Sequence, residues 1–225
     1  MKILIGIFFF YFYCKVKLAF KLTININPVI LILVKGWCIM ENIKSVSQVY
    51  KVQDIIYIGL FAAFIAICSW IAIPATVPFT LQTMGIFITV GLLGGKRATI
   101  AIFVYILLGI IGIPVFASFS SGLGAILGTS GGYIIGFLFS ALFMWFMERV
   151  FGNRHFIFII SMLIGLLICY SFGTFWFMMV YTQTTGPVAL SVVLGWCVIP
   201  FIIPDLIKIA LSFLCVNRLK KIIKK

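Results

Sequence analysis

Hydrophobic and polar positions in this 225-residue chain fall in blocks and do not alternate. From residue 54 onward six apolar stretches stand out, at 54–74, 79–95, 98–113, 132–147, 156–181 and 192–216. Runs of this kind suit helices that cross a hydrocarbon layer of ~30 Å, with the second to fourth near the minimum length. Lipid gives backbone groups no partner, so the stretches are expected to be helical; a closed barrel needs period-2 alternation, which is absent here. The expected architecture is an all-α membrane protein, a six-transmembrane-helix bundle. Composition agrees: hydrophobic residues make up 64% and charged residues 9% of the chain, against about 25% charged in soluble domains.

Charge then orients the bundle. The formal net charge is +13, with 17 Lys and Arg against 4 Asp and Glu. The basic residues lie at alternate connections: Lys44 and Lys51, then Lys96 and Arg97, then Arg149 and Arg154, then Arg218, Lys220, Lys221, Lys224 and Lys225. The connections at 74–78, 114–131 and 182–191 contain no charged residue. Cytoplasmic loops carry the excess of Lys and Arg, so both termini are expected in the cytoplasm. The same placement argues against nucleic-acid binding, because the basic residues are spread over four separate helix ends.

The uncharged connections are rich in neutral hydrogen-bonding groups. The first, read with its flanks over 73–83, holds Thr76, Thr80, Gln82 and Thr83 beside Pro74 and Pro78. The second, at 112–132, holds six glycines together with Phe116 and Phe119. Irregular backbone at membrane depth is tolerated where it lines a cavity, so this segment is expected either to fold back over the helices or to remain a surface loop. Gln183 and three threonines mark the third.

One feature stands apart from this pattern. Asp205 and Lys208 lie within the last apolar stretch, three residues apart and so on one helical face. An isolated charge at the bilayer centre costs at least ~2.5–3.5 kcal/mol on insertion scales, so both are expected to face the bundle interior. A carboxylate accepts hydrogen bonds and an ammonium donates three. Together they suit either a structural ion pair or a small ligand with N–H donors beside a carbonyl, with Trp70, Trp196 and the aromatic loop as apolar walls. Pro200 and Pro204 loosen the preceding turn.

Other chemistry is sparse. The six cysteines form no Cys-x-x-Cys pair and read as small buried hydrophobes. His155 is the only histidine, and no Walker A, Gly-x-Ser-x-Gly or His-Glu-x-x-His motif occurs. No metal site, cofactor or catalytic group is expected. A channel-like facilitator and an intramembrane acid enzyme built on Asp205 remain the alternatives. In the first stretch Gly59 and Ala63, and Ala62 and Ala66, recur at four-residue spacing, which lets another helix approach closely.

Taken together, PFTLQT at 78–83, YILLGIIGIPVF at 105–116, GTSGGYIIGF at 128–137 and PDLIK at 204–208 resemble the BioY family. These are the biotin-specific S components of energy-coupling-factor (ECF) transporters, and the resemblance spans 54–216. It implies a six-helix S-component fold in the bacterial inner membrane, with biotin captured near the outer face; an S component for a different vitamin is the alternative within the same fold. It implies that Asp205 and Lys208 contact the ligand, with Thr80, Gln82 and Ser118 beside it. It also implies that Ala62 and Ala66 dock on a transmembrane coupling (T) protein, which works with two ATPase subunits. Many relatives carry Gly-Pro-Thr-Gly-Gly where this chain has GTSGG around Ser130.

The expected organisation is a leader or upstream translation at 1–39, a cytoplasmic segment at 40–53, the membrane domain at 54–216 and a basic tail at 217–225. Segment 1–39 has no counterpart in the resemblance. The codons for Lys35 and Gly36 also leave room for a ribosome-binding sequence ahead of Met40. Mass spectrometry of the native protein is expected to find an N-terminus at Met40; peptides from 1–39 would refute that start.

Overall fold

The computed structural model of the chain describes residues 52–73, 77–152 and 154–223. The segments 1–39 and 40–51, the start at Met40, Thr76 and the final two lysines lie outside the described residues. Helices form at each of the six apolar stretches. The first is α1 (Val52–Trp70), which leads into a two-residue hairpin, β1 (Ala72–Ile73) against β2 (Phe79–Thr80). Then come α2 (Gln82–Leu93), α3 (Gly95–Ile111), a 3-10 turn (Ala117–Phe119) and a short α4 (Gly122–Leu127). The chain ends in α5 (Gly131–Phe151), α6 (His155–Thr184), α7 (Leu190–Cys197) and α8 (Ile199–Ile223).

Among the described residues, four helical segments have the length and composition to cross a membrane: Val52–Trp70, Gly131–Phe151, His155–Thr184 and Leu190–Lys221. At ~1.5 Å per residue, the 12 residues of α2 reach only ~18 Å. The stretch expected as one helix at 192–216 is broken at Val198, whose φ of −125° and ψ of −57° separate α7 from α8. Pro200 then sits in the first turn of α8, where a missing N–H costs little. Pro204 lies inside the helix, immediately before Asp205.

The helix surfaces invert the pattern of a soluble protein. Asp205, Lys208 and Ser212 on α8 are buried, whereas Ile203, Leu206, Ile207 and Leu214 are exposed. Lipid makes that arrangement stable, because it rewards apolar outer faces and penalises unpaired charge.

The most extensive helix contact joins α5 to α6, and it depends on small residues. A Cβ on Gly132 would stand 2.2 Å from Trp176 Cβ, and one on Gly173 would stand 2.3 Å from the Tyr133 ring. Gly136 faces Cys169, and Gly165 faces Ser140. Each pair couples a position further along α5 with one further back on α6, which is an antiparallel seam. The spacing of four along both helices is the small-xxx-small pattern of close membrane packing.

The two ends of the bundle differ in chemistry. At one end Arg97 pairs with Asp54 at 2.9 Å. Nearby, the Gly95 amide donates to Glu148, joining the start of α3 to the end of α5. At the other end, Ser69 donates to the Val115 carbonyl, and Trp70 Nε1 donates to the Pro114 carbonyl at 2.8 Å. These bonds tie the 112–121 loop to the end of α1. Ser118 and Phe119 in that loop take φ of 55° and 57°, a left-handed conformation that non-glycine residues seldom adopt. Between the two ends the interior is filled by Phe87, Val90, Met144 and Met162, all buried.

The seam makes a direct prediction. Gly173→Leu and Gly132→Leu should each destabilise the protein by about 1–3 kcal/mol or more through overpacking. Gly195→Ala, whose Cβ meets nothing within 4 Å, should not. Thermal unfolding in detergent, followed by tryptophan fluorescence, measures the difference.

Candidate functional site

The uncharged end holds a chamber of about 750 Å³ of empty space, open mouth included. Its floor and walls come from separated parts of the chain: the 77–83 turn, the 116–120 loop, and helices α5, α6, α7 and α8. The glycine-rich connection therefore does fold back over the helices, contributing Phe116, Ala117, Ser120 and Ser130.

Asp205 and Lys208 face this chamber and are 3% and 4% exposed. Helical spacing brings them together, with Lys208 Nζ donating to Asp205 Oδ1 at 2.7 Å. The ammonium also donates to the Thr80 carbonyl at 2.7 Å and lies 3.9 Å from the centre of the Phe79 ring. That ring supplies a further attraction through its negative face. The β1–β2 pairing fixes both partners: Ala72 opposes Thr80, and Ile73 opposes Phe79. On the other oxygen, the Tyr170 hydroxyl donates to Asp205 Oδ2. The charges are thus paired and solvated by protein dipoles, and they still border empty space.

Thr80 and Gln82 also line the chamber and are buried. Thr80 Oγ1 accepts from the Gln82 amide at 3.3 Å, and Gln82 Nε2 donates to Tyr105 Oη at 3.0 Å. The Gln82 carbonyl oxygen keeps its acceptor capacity.

Three sequence expectations shift. Ser118 is exposed and absent from the lining, whereas Ala117 and Ser120 are present. The left-handed pair at 118–119 places both of those side chains at the surface. Trp70 and Trp196 do not form walls either: Trp70 stacks on Phe119 with ring centroids 5.1 Å apart, and Trp196 packs edge-on to Tyr181. Ala62 and Ala66, expected at a docking surface, are 1% and 4% exposed and packed within the chain. The small residues on the exposed face of α1 are Gly59 and Ala63.

Sequence reading missed Tyr170, Tyr133, Cys169 and Cys197, which also line the chamber. Each lies in an apolar run, where nothing distinguishes a chamber-facing side chain from a packed one. Among the described residues no group of three or more His, Cys, Asp and Glu could hold a metal ion. The arrangement offers one carboxylate, one ammonium and neutral amide and hydroxyl groups inside an apolar shell. Such a set can hold a small polar head group by hydrogen bonds within an apolar wall.

Comparison with known proteins places this geometry. The BioY family model matches residues 39–225. The biotin transporter BioY of Thermotoga maritima is 34% identical over 171 residues, covering 76% of this chain and 97% of that protein. A probable biotin transporter BioY of Pyrococcus horikoshii is also 34% identical, covering 76% of this chain and 98% of that one. A crystal structure of the S-component for biotin from an ECF-type ABC transporter matches with a TM-score of 0.67 and 32% identity, covering 76% of this chain and 92% of that one. With a bundle of apolar helices, a buried ion pair beside an open chamber and relatives matched over nearly their whole length, the chain is a multi-pass membrane protein that belongs to the BioY family.

Proposed function

We infer that this chain is the biotin-binding subunit of an ECF-type uptake transporter and not an enzyme. The observation that carries this reading is the Asp205–Lys208 pair on the chamber wall. A cyclic urea presents N–H donors flanking a carbonyl oxygen, and the pair presents an acceptor beside a donor. Each Asp205 oxygen receives one protein donor and has two lone pairs, so each retains acceptor capacity. Lys208 spends two of its three protons on Asp205 and Thr80, which leaves one for a carbonyl. Phe116, Phe137, Ile134 and Phe201 supply apolar surface for the remainder of the ligand, as small-molecule sites require. Gln82 and Thr80 flank the head group, and Ser120 takes the place given to Ser118 on the loop.

The domain is the six-helix unit at 54–216, with α7 and α8 together forming the sixth span and α2 reaching partway. The basic end lies in the cytoplasm with both termini, by the positive-inside rule, and the chamber opens outward. The membrane is the bacterial inner membrane. Transport relies on partners: a transmembrane coupling protein and two ATPase subunits. The coupling protein docks on the exposed face of α1 at Gly59 and Ala63, where small residues let a helix approach.

Two experiments test these readings. Asp205→Asn and Lys208→Ala should each weaken binding of labelled biotin to purified protein about tenfold or more, since hydrogen bonds to charged groups contribute about 1.5–3 kcal/mol. Both variants should still insert, and unchanged affinity in both removes the site assignment. Ala63→Leu should abolish co-purification with the coupling protein while biotin affinity stays at the wild-type value; Ala62→Leu should instead lower thermal stability.

A further inference from the structure

The biotin reading gives no role to Tyr170, the polar group nearest the ion pair. Tyr170 on α6 lines the chamber beside Asp205 and Lys208, and its hydroxyl donates to Asp205 Oδ2. Lys208 holds the other oxygen, Oδ1. The two donors differ in origin. Lys208 shares α8 with Asp205, so it moves with the carboxylate, whereas Tyr170 reaches across from a different helix. Among the described residues no other side chain donates to Oδ2. Cys169, the neighbour of Tyr170, turns its thiol to the Tyr133 carbonyl at 3.7 Å.

A carboxylate held by one donor on its own helix can still rotate about its terminal torsion, which is broad for aspartate. A second donor, from another helix and on the second oxygen, fixes the plane of the group. Resting on the biotin reading, we infer that Tyr170 is a positioning residue for ligand recognition. It sets the plane of the Asp205 carboxylate so that the remaining lone pairs face the ureido N–H groups of the ligand. A phenol suits this task in lipid because it donates without adding charge. The Asp205–Lys208 pair therefore stays neutral overall, where a second cation would leave net charge buried in the bundle. The anchoring helix, α6, is the one packed closely on α5 through the glycine seam.

Tyr170→Phe tests the inference, because it removes the hydroxyl and keeps the ring. Affinity is measured for biotin and for a biotin analogue methylated at one ureido nitrogen, using the isomer that the wild type discriminates more strongly. Thermal midpoints without ligand are recorded for both proteins. Biotin affinity should fall about ten- to a hundredfold, the range for a hydrogen bond to a charged group. For the methylated analogue, which has lost the donor that reads the oriented carboxylate, the same substitution should cost less than about threefold. An equal loss for both ligands would mean that Tyr170 only supports the fold, and an unchanged biotin affinity would mean that it plays no part in recognition; either overturns the inference. Failure of the wild type to bind biotin would overturn the underlying function instead.

Discussion

A carboxylate and an ammonium buried side by side in an apolar bundle set the terms for the rest of this structure. Neither Asp205 nor Lys208 can face lipid, so both must be met by protein dipoles. Three separate elements converge to do so: the hairpin through the Thr80 carbonyl and Phe79 ring, α6 through Tyr170, and α8 through its own helical spacing. A buried ion pair is weak evidence for stability, because apolar residues of similar volume often serve as well or better. The pair instead lies on the wall of an open chamber, where both side chains border empty space.

Such a chamber needs rigid walls, and the α5–α6 seam provides one of them. Glycine and other small residues bring the two helices close enough for the backbone of one to meet side chains of the other. Tyr133 on α5 and Tyr170 on α6 then project into the chamber from a pair that has little freedom to shift. The opposite wall is built differently. Hydrogen bonds from Ser69 and Trp70 anchor an irregular loop whose left-handed residues present Ala117 and Ser120 inward. One wall is fixed by packing and the other is latched by a few polar contacts.

Charge is divided between the ends with equal consistency. The Arg97–Asp54 pair and the Glu148 cap gather at one end, and the hairpin, loop and chamber occupy the other. Buried side chains fill the space between. That division keeps the chamber at one end of the bundle and the exposed charge at the other.

Much of this could be read in the chain beforehand, and the physical reason is the solvent. In lipid, a long apolar run has only one economical backbone solution, so the six helical regions follow from hydropathy. The same logic sends Asp205 and Lys208 inward, and the spacing of three puts them together. What spacing leaves open is rotation about a helix axis. Gly59–Ala63 and Ala62–Ala66 are equally good close-packing pairs as strings, and neighbouring helices alone decide that the second pair is buried. Ser118 turned outward because of two left-handed residues that no residue pattern announces. Tyr170 meets Asp205 across 35 positions of chain, so its role depends on which helices end up adjacent. Hydropathy acts locally and is therefore written in the residues, whereas partners across helices, and the faces turned toward them, exist only once the bundle has assembled.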